Sequence, residues 1–171
     1  MFFKVLFIMN IRKQLIIWLF KKSQSYYTFW FKSKKKAWGL NKSQLLNLPE
    51  HTLGYALGLF LEKNGFEVIP KVERHDAYHV VTGYGTKVED EIALQYLCYG
   101  NGKRSFYLFG VIVLGTILLP EYFSYYHRSY NIGKQCNSFH HYNYKRLLLI
   151  DLEEFRAMIF SEHQQSQLHL L

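Results

Sequence analysis

Cysteine is scarce: the 171 residues hold two, Cys98 and Cys136, at no metal-binding or redox spacing. This argues against a structural disulfide, and both read as small buried hydrophobes in a reducing compartment. There is no apolar run long enough to cross a bilayer. Phe106 to Leu119 is uncharged, bounded by Arg104 and by Pro120-Glu121. It falls short of the ~20 residues a span needs, and so reads as a buried core helix. Met1 to Asn10 is apolar but broken by Lys4 and has no small-residue cleavage site, which argues against a secretory signal. Gly83-Tyr84-Gly85 lacks the preceding strand and the spacing of a dinucleotide loop. No serine nucleophile elbow is present, and no zinc-finger or RNA-recognition signature. Strand-like residues occur only from Phe66 to Val72, where Pro70 makes an extended connector rather than a central strand.

Acidic residues are missing from the first 49 positions, which carry ten Lys or Arg. The whole net charge of +8 therefore originates there, because the remainder holds eleven basic and thirteen acidic residues. Ile16, Ile17, Trp18, Leu19, Phe20, Tyr26, Tyr27, Phe29, Trp30 and Phe31 are interleaved with the lysines. This is the composition of a helix at an anionic membrane surface, and equally of a packing helix with a solvated basic face. Nucleic acid suits the charge, but no groove-reading module accompanies it, so no nucleic-acid partner is expected.

What is abundant is apolar and aromatic: 49% hydrophobic and 18% Phe, Trp and Tyr, enough to bury a substantial core. The periodicity predicts an all-α, single-domain helical bundle. Helices are expected at about 11–31, 42–48, 51–64, 74–83, 87–99, 104–127, 143–149 and 151–160. Residues 1–40 form the basic aromatic helix, 41–160 the main domain, and 161–171 a polar tail that frays. Asn64-Gly65 and Asn101-Gly102 are stop signals. Gly54, Gly58, Gly110 and Gly115 lie on apolar helices and would allow close helix contact or an apolar ligand cavity.

One constellation reads as chemistry. His75-Asp76-Ala77-Tyr78-His79 puts two imidazoles one helical turn apart on one face, with Asp76 at its edge. Gly83-Tyr84-Gly85-Thr86 is turn-forming, and Thr86 with Glu89 reads as a capping box opening a second helix. That helix carries Glu91, and an antiparallel return would bring it opposite the histidines. Two imidazoles and two carboxylates make a nitrogen- and oxygen-rich site for a divalent metal. The same spacing also arises in surface pairs satisfied by hydrogen bonds, and it names no reaction. His140-His141 are read as surface residues, and Lys103-Arg104 as a cap on the preceding helix's C-terminus.

Pro49-Glu50-His51-Thr52-Leu53-Gly54, Arg74-His75-Asp76, His79-Val80-Val81-Thr82-Gly83-Tyr84 and Glu91-Ile92-Ala93-Leu94 resemble the coenzyme Q (ubiquinone) biosynthesis protein four family. Its signature is His-Asp, two residues, His, eleven residues, Glu, and every position is filled here. The resemblance runs from about Asn41 to about Ile159, taking in Ser129 to Lys134, read as a turn, and Asp151-Leu152-Glu153-Glu154-Phe155-Arg156. It implies an all-helical fold with a lipid-binding cavity. It also implies a divalent metal, usually zinc with iron, manganese or cobalt as alternatives, on His75, Asp76, His79 and Glu91. The activity implied is oxidative decarboxylation at C1 of a polyprenyl-4-hydroxybenzoate derivative. A non-catalytic scaffold for other quinone-synthesis proteins, its metal structural, is the alternative. Lys71, Arg74, Tyr78, Gly110 and Gly115 are the candidate substrate-binding residues. A homodimer, and a cytoplasmic site on the inner face of the membrane, complete the expectation.

Overall fold

Residues 11–19 and 36–170 are described by the structure, a computed structural model. The parts of the expected N-terminal helix segment at 1–10 and 20–35 fall outside the described residues, which contain no strand. Residues 11–19 are helical (α1). There follow α2 (Lys42–Leu46), α3 (Leu53–Lys63), α4 (Glu73–Thr82), α5 (Val88–Gly100), α6 (Phe106–Leu118), α7 (Phe123–Gln135), α8 (Leu152–Ile159) and α9 (Glu162–Gln167). Single 3-10 turns occupy Pro120–Tyr122 and Tyr144–Leu147. The all-α expectation holds. The helices gather into two compact units: Met1–Lys34 with Gly85–Gln135, and Lys35–Tyr84 with Cys136–Leu171.

In the first unit, α5 and α7 meet backbone to backbone. A Cβ on Gly133 would overlap the Leu97 carbonyl oxygen, and one on Gly100 would overlap that of Tyr130. Glycine at both crossings permits the approach. On the other side of α5, Gly115 of α6 sits against Ile92, and Tyr96 and Thr116 share a hydroxyl hydrogen bond of 2.5 Å. The helix α1 docks in this unit through buried Ile16, through Arg12 bonded to the Leu118 carbonyl and to Glu121, and through Lys13 paired with Glu89 at 2.9 Å. Residues 11–19 therefore pack against this unit along one side. Cys98 is buried, and burial pushes its thiol up in pKa.

Three expectations change here. The single helix 104–127 is two segments bent by 104°. Leu119 leaves the helical region (φ −130, ψ 59) before Pro120, which has no N–H to continue the ladder. The Ser129–Lys134 turn is instead interior to α7. And α6 is no buried core helix: Phe106 is 88% and Ile117 68% exposed, only Leu108, Val111 and Gly115 being buried. Among the described residues no single helix is long and apolar enough to cross a membrane.

In the second unit, α3 opens on the Thr52 hydroxyl, which accepts from Tyr55 N–H, and stops at Asn64 with Gly65 left-handed (φ 65). The backbone N–H groups of Leu53 and Gly54 bond to Ile150 and Leu148, tying α3 to the segment before α8. Gly54 and Gly58 face Leu148 and Leu46 closely, so they serve packing. Tyr78, Phe139, Tyr144 and Phe155 form the aromatic core in edge-to-face contacts. The polar tail does not fray. Ser161 and Gln164 form a capping box that starts α9, and Gln164, Gln165 and Leu168 are buried. Cys136 is half-buried and is not joined to Cys98 in a disulfide.

Candidate metal centre

The helix α4 owes its limits to its neighbours. Lys71 holds a left-handed backbone (φ 71) just before it, and Glu73 and Asp76 in its first turn suit the positive end of the helix dipole. Gly83, also left-handed (φ 73), ends it by donating its N–H to His79 O at 2.8 Å. Leu168 and Leu170 close over that glycine. Arg156 of α8 then satisfies two carbonyls of the last turn, with Nη2 donating to Val80 O at 2.7 Å and Nε to Val81 O at 3.3 Å. The frame that carries the histidines is therefore fixed at its C-terminal end by three separate contacts.

On this helix His75 and His79 converge. Their Nε2 atoms are 3.2 Å apart and the rings cross at 85°. His79 is 2% exposed and stacks on Phe60 at 5.4 Å. Its Nδ1 lies 3.0 Å from the Tyr84 carbonyl, which can only accept, so Nδ1 carries a proton and the neutral ring presents the Nε2 lone pair. A carbonyl that fixes the tautomer of a ligating histidine is the usual outer support of a metal site. The nitrogen separation also fits. Two ligands about 2.0–2.1 Å from one ion subtend roughly 100° at this spacing, close to tetrahedral.

The carboxylates are placed differently. Asp76, half-buried, lines with Glu73 a tight crevice whose other walls are Trp38, Leu40, Leu45, Leu57, Leu61 and Val68. Glu73 is 4% exposed and accepts from Trp38 N–H at 2.9 Å. Glu91 is half-buried in the first turn of α5, in the first unit. His75 and His79 are the two donors that this unit brings together, and Glu91 is joined to them by the spacing of the sequence signature. The capping box expected ahead of Glu91 does not form. The helix begins one residue late for it, so Lys87 is the N-cap, without a side-chain bond, and Glu89 pairs with Lys13.

Of the candidate substrate residues, Tyr78 is 1% exposed and gives its hydroxyl to the His140 carbonyl, a core role. Lys71 and Arg74 are half-buried at the start of α4. Gly115 packs on Ile92, and Gly110 faces open space with nothing within 4 Å of a built Cβ. Gly54, Gly58 and Gly115 are each taken up by close packing contacts within their own units. His141 is exposed and Arg104 bonds the Tyr99 carbonyl, as read from sequence. Sequence reading missed Phe60, the Tyr84 carbonyl and Arg156 as supports. Tyr84 and Arg156 lie inside stretches that carry the family resemblance, whereas Phe60 left no signal.

No family model and no curated protein matches the chain. Among solved structures, a presumed ubiquinone biosynthesis protein from Nostoc punctiforme is similar at 22% identity, with a TM-score of 0.62 over 87% of this chain and 81% of that one. The likeness shows a shared fold.

Proposed function

We propose that this chain binds a divalent metal through His75, His79 and Glu91, with Asp76 beside them, and acts on a prenylated aromatic ring in ubiquinone biosynthesis. The observation that carries the reading is the His75–His79 pair: two Nε2 atoms 3.2 Å apart, one of them fixed as an acceptor by a backbone carbonyl. The filled His-Asp…His…Glu signature and the fold shared with the Nostoc protein support the pathway.

The reaction is an oxidative decarboxylation at C1. The bond from C1 to the carboxylate breaks and carbon dioxide leaves, water supplies the oxygen of the new C1–O bond, and dioxygen takes up the two electrons and two protons released, leaving as hydrogen peroxide. The bound metal supplies Lewis acidity, which favours negative charge on nearby oxygens. The protein's own groups orient and hold: Phe60 and the Tyr84 carbonyl keep His79 in one rotamer and tautomer, and Lys71 and Arg74 attract the carboxylate. A scaffold whose metal is structural is the second reading, since four protein ligands can close a zinc site. The membrane surface, to which the basic N-terminal segment points, is where such a lipid would be met.

Metal analysis of purified protein tests the site. Wild type should hold or take up about one equivalent of zinc, iron, manganese or cobalt, and His79→Ala should lose most of it. Wild type that neither carries nor accepts any of these overturns the metal. Metal-dependent product from a short-tailed prenyl-hydroxybenzoate under oxygen separates enzyme from scaffold.

A further inference from the structure

The outward face of α6 has no polar residue at its most exposed positions. Phe106, Phe109, Val113, Leu114 and Ile117 are 88, 58, 39, 45 and 68% exposed, and Gly110 among them faces open space. Their spacing of three and four residues makes one stripe, opposite the stripe of Leu108, Val111 and Gly115 that packs inward. A helix with water on one side ordinarily turns charged residues to it, and α6 has none from Phe106 to Leu118. The same unit exposes a second apolar row on α1, with Ile11 at 53% and Leu15 at 44%. A patch of this kind marks an interaction surface.

The charge decides the occupant. Among the described residues this unit holds seven basic and four acidic, a balance of +3, whereas the other unit holds eight and nine. The positive balance of the described residues therefore belongs to the unit that bears the apolar face. A second copy seated there would oppose positive charge to positive charge. An anionic lipid surface offers apolar depth and the complementary charge together. At thirteen residues α6 is about 20 Å long, too short to span a hydrocarbon core of about 30 Å but suited to lying within the interface.

We propose that the exposed face of α6 is the docking surface of this protein on an anionic bilayer, with the outer row of α1 adding to it. This rests on the membrane-surface part of the reading above and gives that surface a place in the fold. The depth of insertion follows from the side chains: Phe106, Phe109 and Ile117 enter below the headgroups, while Lys103 and Arg104, just ahead of α6, remain at their level.

Flotation of the full chain with phosphatidylcholine vesicles, with and without 30% phosphatidylglycerol, is the test, using Phe109→Glu/Ile117→Glu and Phe109→Asn/Ile117→Asn. Both positions are exposed, so melting temperature should hold. Wild type should float with the anionic vesicles and at least tenfold less with the neutral ones. Both variants should lose at least tenfold on the anionic vesicles, the Asn pair showing that the loss is not one of charge alone. Phe109→Trp should also shift its emission to the blue with anionic vesicles. Variants that float like wild type overturn the proposal. So does a wild-type dimer in lipid-free light scattering that the Glu pair dissociates while vesicle binding persists, because a second copy then covers the face. His79→Ala should float normally, so a failed metal site and a failed membrane face give different results.

Discussion

Gly133→Ala probes the closest approach in the first unit. The new Cβ would overlap the carbonyl oxygen of Leu97, lying 2.8 Å from its carbon and 3.0 Å from its Cα. These are backbone atoms, so no rotamer change relieves the overlap and α5 must move away from α7. A displacement of about 1 Å forfeits a quarter to a half of each dispersion contact along the seam. Overpacking of this kind costs about 1–3 kcal/mol, and backbone overlap places this case at the upper end. Alanine's better helix propensity offsets about 0.5–1 kcal/mol. The net loss of about 2 kcal/mol corresponds to a fall in Tm of roughly 4–8 °C for a chain of this size. Gly110→Ala is the matched control, because nothing lies within 4 Å of its Cβ. The propensity gain then acts alone, raising Tm by about 1–4 °C. Thermal melts by far-UV circular dichroism read both. A Gly133→Ala protein that melts at or above wild type would refute the glycine-to-carbonyl seam, and with it the account of how the helix carrying Glu91 is held.

Lys13→Met should lower stability at neutral pH and flatten its pH dependence. Burial disfavours both charges, but the partner outweighs it, so the Glu89 carboxyl titrates below its ordinary range and the Lys13 ammonium above its own. A lowered acid stabilises above its unfolded pKa and loses that as pH falls, and a raised base loses its share as pH rises. The pair therefore stabilises across about pH 4–10, the window over which urea melts of wild type and variant should differ. Equal urea midpoints at pH 7 would show the pair to be idle. Arg156→Ala strips two carbonyls at the end of α4 of a charged donor. The expected cost is about 2 kcal/mol with faster amide exchange in that turn, and Arg156→Lys should recover only part, lacking the forked geometry. Unchanged exchange would mean that Arg156 does not hold the helix.

The chain alone determined the helical class, most of the helix positions and the paired histidines. Apolar periodicity, Asn-Gly stops and an i,i+4 spacing are local properties that survive in almost any helical packing. It also showed where the positive charge lies. Tertiary structure decided whatever depends on who the neighbour is. Phe106 to Leu119 has one composition whether it is buried or exposed, and only the packing of α5 on one side showed that its other side is open. Glu89 pairs instead with Lys13, distant in sequence, on a helix that starts one residue later than the spacing suggests. Polarity marked 161–171 as a tail, yet its glutamines are buried and Leu168 and Leu170 close over Gly83. His79 was legible as a ligand by residue type. The proton on its Nδ1 was not, because it is set by a main-chain carbonyl, and a carbonyl has no letter in the sequence.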